Sequence, residues 1–152
     1  MNAAAEVVIR IRYAECDAQG VLFNARYGEL ADVAATELFR HHLGGYQKLL
    51  DAGFDSQVVH YEIDWRAPLR FDDCARVTAR VGQLNRSSFS VVVSFEDDAT
   101  GAARAQATLV YVMVDAKSYE KRPIPDWFRV LAQADQATVR VDMSGQPPAA
   151  NT

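Results

Sequence analysis

Two hydrophobic periods divide this chain. Val7, Val8 and Ile9 lead into alternating Arg10, Ile11, Arg12 and Tyr13, so residues 6–13 are expected to form a strand. Tyr27, Leu30, Ala31, Ala34 and Leu38 then recur at spacings of mostly three and four, while Arg26, Glu29, Asp32, Glu37 and Arg40 fall mostly off that stripe. This predicts an amphipathic helix over about residues 24–43, with Asn24 as its N-cap and Gly44-Gly45 ending it. Small residues along it (Ala25, Gly28, Ala31, Ala34, Ala35) would let a sheet wrap closely around the helix. Residues 46–52 suit a short second helix stopped by Gly53.

Beyond Gly53 the period changes to two. Val59, Tyr61, Ile63 and Trp65 alternate with His60, Glu62 and Asp64, giving a second strand that ends before Pro68. A third strand, carrying Val77, Ala79 and Val81, runs to about Leu84, and Asn85-Arg86-Ser87-Ser88 connects it to a fourth with Phe89, Val91, Val93 and Phe95. Residues 103–115 make a fifth, long and increasingly apolar. Pro123 and Pro125 introduce a helical turn around Trp127. Residues 1–142 are expected to form one domain and residues 143–152 a mobile tail. A strand, one long helix, then strands joined by short turns fits an α+β fold with the helix on an antiparallel sheet.

Charge and cysteine content narrow the setting. A net charge of −4 argues against a nucleic-acid-binding domain, which is usually basic. The two cysteines, Cys16 and Cys74, are too few for a disulfide framework and fit a reducing cytoplasm. The N-terminus has no basic segment followed by an apolar run, and no uncharged stretch approaches the roughly 20 residues of a membrane span.

The chemistry concentrates between the first strand and the long helix. Asp17-Ala-Gln-Gly20 has a turn's pattern, Asp first and Gly fourth, and it sets a carboxylate close to the amide-rich start of a helix. One group could deliver a nucleophile while the other steadies a developing oxyanion, as acyl transfer requires. Alone, Asp-x-x-Gly is far more often only a turn.

Tyr13, Asp17, Gly20, Asn24 and Tyr27, with Pro68-Leu69 ahead of Asp72-Asp73, Arg86-Ser87-Ser88-Phe89 and Pro123-Ile124-Pro125, make the chain resemble hotdog-fold thioesterases. The likeness is to the 4-hydroxybenzoyl-CoA thioesterase type and the related bacterial short-chain acyl-CoA thioesterases, over roughly residues 6–132. It implies one long central helix wrapped by a five-stranded antiparallel sheet, and hydrolysis of an acyl- or aryl-CoA thioester to free acid and CoA. Asp17 falls on the catalytic carboxylate, as nucleophile or general base, and the amide near Asn24 on the oxyanion stabiliser. Tyr13 either orients Asp17 or packs at the strand end. Gly20 supplies backbone freedom, Tyr27 starts the core stripe beside substrate, and Arg86 with Ser87 and Ser88 is the candidate for the CoA phosphates. The resemblance further implies a homodimer or homotetramer with catalytic groups at a subunit interface. It implies no metal or cofactor beyond the CoA of the substrate. Acyl carrier protein is an alternative carrier, since the phosphopantetheine arm is shared.

Where some short-chain relatives carry a histidine, this chain has Asn24, which cannot relay a proton near neutral pH. A mechanism resting on Asp17 and the helix amides survives that change. Cys16 adjoins the acid but has no neighbouring cation in sequence to activate it. His41 and His42 are adjacent and point apart, a poor start for a metal site. Glu29, Asp32 and Glu37 lie off the apolar stripe and are expected to be solvated or subunit-facing. A hotdog hydratase would want a histidine shortly after its acid, and none lies between Asp17 and His41. A non-catalytic acyl-thioester binder would have no need of an acid at the reacting carbon.

Overall fold

A computed structural model describes residues 3–145. Its strands are β1 (Ala4–Arg10), β2 (Phe54–Trp65), β3 (Cys74–Leu84), β4 (Ser88–Asp97), β5 (Ala103–Asp115) and β6 (Val139–Asp142), and its helices are α1 (Tyr27–His42), α2 (Tyr46–Asp51) and α3 (Asp126–Gln133). They form one sheet in the order β2-β5-β4-β3-β1-β6, with α1 packed across β1, β3 and β4. This is the expected α+β architecture, one long helix on a sheet.

Alternation decides which face is buried. Val77, Ala79 and Val81 of β3, Phe89, Val91, Val93 and Phe95 of β4, and Ala105, Ala107, Leu109 and Met113 of β5 are all within the core. Against them α1 sets Leu30, Ala31, Ala34, Ala35 and Leu38. The alanines bring helix and sheet backbones close, as the small-residue stripe predicts. Towards the end of α1, Phe39, Phe89, Tyr111 and Phe128 form one aromatic cluster with ring centroids 5.1–6.0 Å apart. Phe128 is how α3 joins the core.

The sheet differs from the expectation in three places. Among the described residues it has six strands, because Val139–Asp142 adds to the far side of β1 in parallel. Met143 donates its backbone N–H to the Val8 carbonyl at 2.8 Å, and the buried Ser144 accepts from the Arg10 side chain through its carbonyl. The chain is thus held to β1 through Ser144, two residues into the expected tail, while residues 146–152 lie outside the described residues. The first strand ends at Arg10 rather than Tyr13, because Tyr13–Glu15 closes into a short 3-10 turn.

The third difference is β2, which begins at Phe54 and, among the described residues, pairs only with β5. Its register shifts between Val58 and His60, a bulge that falls on Val59. Val58, Val59, Tyr61 and Trp65 are each at least 41% exposed, so this twelve-residue strand leaves one side of the sheet bare. Among the described residues no helix is long and apolar enough to cross a membrane.

Candidate active site

The turn at Asp17 is built by its own backbone and stitched to residues 69–71. Gly20 donates its N–H to the Asp17 carbonyl at 3.0 Å and adopts φ +73°, a conformation that glycine reaches without steric cost. The N–H of Gln19 donates to Asp17 Oδ1 at 2.8 Å, the side-chain-to-backbone bond that makes Asp favourable here. Asp17 N–H donates to Val21, Leu22 to Leu69, and Phe71 to Gly20, all across 2.7–3.0 Å. Just upstream, buried Glu15 accepts from the backbone and guanidinium of Arg12, and its carbonyl accepts from Phe23. Both flanks of the turn are thereby fixed, with Oδ1 held and no hydrogen bond made by Oδ2 among the described residues.

Asp17 stands in the wall between two cavities. One, of about 410 Å³, is lined by Tyr13, Cys16, Ala18, Gly20 and Phe71 as well as Asp17. The other, of about 380 Å³, adds Leu22, Asn24, Tyr27, Trp65 and Pro68 around the same carboxylate. Tyr27 is 2% exposed and packs edge-on to Trp65 and Phe95, with centroids 6.1 and 5.3 Å away. Burial pushes its hydroxyl pKa up, and a backbone hydrogen bond at Leu69 and the Arg104 charge work against that rise. Tyr27 therefore serves as core and as cavity wall together.

Asn24 is not the N-cap that the sequence suggests. It opens a 3-10 turn, Asn24–Arg26, and α1 follows with Arg26 at the cap position and no side-chain cap bond. The first turn of a helix has N–H groups without intrahelical acceptors, and its positive end favours negative charge. An exposed Asn24 on the 3-10 turn just before α1 lines the cavity of Asp17, as does Tyr27 at the helix start, so acid and helix start share one opening.

Tyr13 is 81% exposed, lies edge-on to Phe71 at 5.9 Å, and makes no hydrogen bond to Asp17. It flanks the site instead of orienting the acid. Desolvation first, then the charges of Asp17 and Glu15, raises the thiol pKa of Cys16, the opposite of what a thiolate nucleophile needs. Arg86, Ser87 and Ser88 are far away. β3 begins beside the Asp17 loop, where Asp72 and Asp73 exchange backbone bonds with Ile11, and runs its full length before the hairpin. At about 3.3 Å per residue, its eleven residues span roughly 33 Å, and the hairpin lies beyond their far end. Ser87 is also buried, and its carbonyl accepts from Met113.

Glu37 differs from its expected exposure. It is 7% exposed and takes hydrogen bonds from Arg40, whose charge balances its own, and from His41. Among the described residues no cluster of His, Cys, Asp and Glu has a metal-binding arrangement. Trp65, Leu22 and Pro68 join the lining from outside the Asp17 motif. Their signal was an apolar strand end running into a proline, directly before the Leu69 segment that the turn bonds to.

Comparison with known proteins bears on the fold and the family. The acyl-CoA thioester hydrolase YbgC of Escherichia coli is 26% identical over 117 residues, covering 77% of this chain and 87% of that protein. A 1,4-dihydroxy-2-naphthoyl-CoA thioesterase from Synechocystis superposes with a TM-score of 0.75 at 18% identity, over 85% of this chain and 95% of that one. A gentisyl-coenzyme A thioesterase does so with a TM-score of 0.72 at 23% identity, over 84% and 98%. These structures share the hotdog fold with it. The family model described as the thioesterase-like superfamily matches residues 11–144, from the end of β1 past β6, and this chain belongs to that superfamily.

Proposed function

We propose that this chain hydrolyses acyl-CoA thioesters to a free acid and CoA, with Asp17 as the reacting group. The observation that carries the reading is the placement of Asp17. One carboxylate oxygen is spent on the turn, and the residue lines a largely apolar cavity that also reaches the first turn of the helix. With the thioester carbonyl carbon against the carboxylate, the developing oxyanion points at the helix start. There Asn24 and the neighbouring backbone N–H groups meet it with the positive end of α1. The carboxylate either attacks that carbon, expelling the CoA thiolate and leaving an anhydride for water to open, or takes a proton from the water that attacks. Both routes need Asp17 ionised and neither needs Cys16.

The bare β2 edge supports a homodimer, because a second copy pairing there about a two-fold axis would meet it antiparallel. The join would bring the partner's hairpin, with Arg86, to the same end of the shared sheet as Asp17. That removes the separation along β3 within one chain: CoA would lie across the interface, its phosphates near Arg86 of the partner subunit.

The test is CoA release followed with a thiol reagent, over aryl and aliphatic acyl-CoAs, for the wild type and Asp17→Asn. The variant keeps Oδ1 as the acceptor for Gln19, so the turn survives. Activity should fall by about 10²-fold or more, the scale of losing an acid–base group. A fully active variant would place the chemistry elsewhere. Binding of acyl-CoA by the wild type without CoA release would make the chain a binder.

A further inference from the structure

The cavity at Asp17 has a larger neighbour on the same seam. α1 and β2 run antiparallel along the open side of the sheet, with Trp65 against Tyr27 at one end. At the other end is a cavity of about 480 Å³ whose apolar floor is Ala35, Phe39, Val58 and Tyr111, with Thr36 at its wall. The two cavities share no lining residue.

Between them, in the order of both elements, Tyr61 meets Gly28. On α1, Gly28 falls after Tyr27 of the first cavity and before the Ala35 and Phe39 of the second. On β2, Tyr61 falls between Val58 of the second and Trp65 of the first. The hydroxyphenyl end of Tyr61 rests on Gly28: a Cβ added there would sit 3.7 Å from both its Cζ and its hydroxyl oxygen. A bulky side chain at residue 28 would hold the ring off the helix.

We infer that Tyr61, seated on Gly28, is the partition that limits how long an acyl group Asp17 can accept, and that the larger cavity takes the chain's distal end once the ring is gone. The inference rests on the acyl-CoA reading above. The floor suits an uncharged aliphatic tail. Asp32 and Arg40, which also line the cavity, are exposed and can keep their charges in water. Each methylene moved from water into such a space is worth about a fourfold change in kcat/KM.

The experiment measures kcat/KM for butyryl- to lauroyl-CoA with the wild type, Tyr61→Ala, and Tyr61→Ala combined with Thr36→Phe, which refills the second cavity. The decanoyl-to-butyryl ratio should rise by about tenfold or more in the single variant, and the added phenylalanine should return it towards wild type. Tyr61→Leu, which keeps an apolar strand residue, is measured beside them in case the alanine variant folds poorly, and it should move the ratio the same way. A ratio within about twofold of wild type in a folded, CoA-releasing Tyr61 variant overturns the partition while leaving the thioesterase reading intact. A wild type that releases no CoA from any member of the series overturns the partition, and one that releases none from aryl-CoAs either overturns the thioesterase reading as well.

Discussion

Gly28 is an unusual choice in the first turns of α1, and replacing it with alanine gives a prediction that the structure makes quantitative. A glycine inside a helix is less favourable than alanine by about 0.8–1.0 kcal/mol, because it gives up more backbone freedom on folding. Its φ is not positive, so alanine meets no backbone strain there. The added methyl would sit 3.7 Å from the Tyr61 ring, an ordinary contact. Nothing therefore offsets the gain, and the touch against the ring adds slightly to it. Gly28 is the second residue of α1, short of the interior where the full difference applies, so Gly28→Ala should stabilise the chain by about 0.4–1 kcal/mol, which for this size raises Tm by roughly 1–4 °C. Urea unfolding read by circular dichroism gives the free energy, with m unchanged if only stability has moved. A lower Tm would refute the reasoning, because it would mean that the Tyr61 ring has no slack against the helix.

Two further outcomes follow from groups away from Asp17. His42 is 4% exposed and joins three segments: Nε2 bonds the Ala4 carbonyl at 3.0 Å, and Nδ1 bonds Gln136 Oε1 at 3.0 Å. His42→Ala should cost about 2–4 kcal/mol in urea unfolding through the lost packing and the buried groups left unpaired, and a change under about 0.5 kcal/mol would contradict it. Tyr46 and Tyr111 are both pushed up to about 12, Tyr46 first by the bond it donates to Asp55 and Tyr111 first by burial. The folded chain thus keeps protons that the unfolded chain loses near pH 10. Their contribution to stability is whole below pH 10 and disappears as pH rises towards 12. A phenolate absorbance titration should show these two hydroxyls ionising late, and six tyrosines ionising together near pH 10 would contradict the assignment.

Most of the sheet and the long helix could be read from the sequence because each buries one face. Phe89, Val91, Val93 and Phe95 alternate without interruption, and a half-buried strand leaves that pattern. β6 left none: Val139 and Val141 are only half-buried, and four residues held by a neighbour carry too little periodicity to stand out. The start of β2 was hidden because Asp55, Ser56 and Gln57 owe their extended form to pairing with β5 rather than to an apolar face. At the site, the Asp17 turn was legible since its bonds are local. Asn24 misled because a capping residue type says nothing of whether a 3-10 turn will come first. The burial of Glu37 depended on Arg40 and His41 arriving three and four residues later to satisfy it. Tyr61 looked like any inward strand residue, and its place on Gly28 exists only once α1 and β2 lie side by side.

The two borders of the sheet are unequal, and this bears on how copies of the chain can accumulate. β6 is four residues long, with Arg140 bonded to Glu6 and Asp98 and exposed Asp142 close by, a poor template for another strand. β2 offers the outer edge of a twelve-residue strand, with no strand partner among the described residues. A sheet able to extend from both borders could stack without limit into fibres. One that can extend from a single border exhausts it at the first encounter, so concentrating this protein should drive it to a finite particle instead of an aggregate.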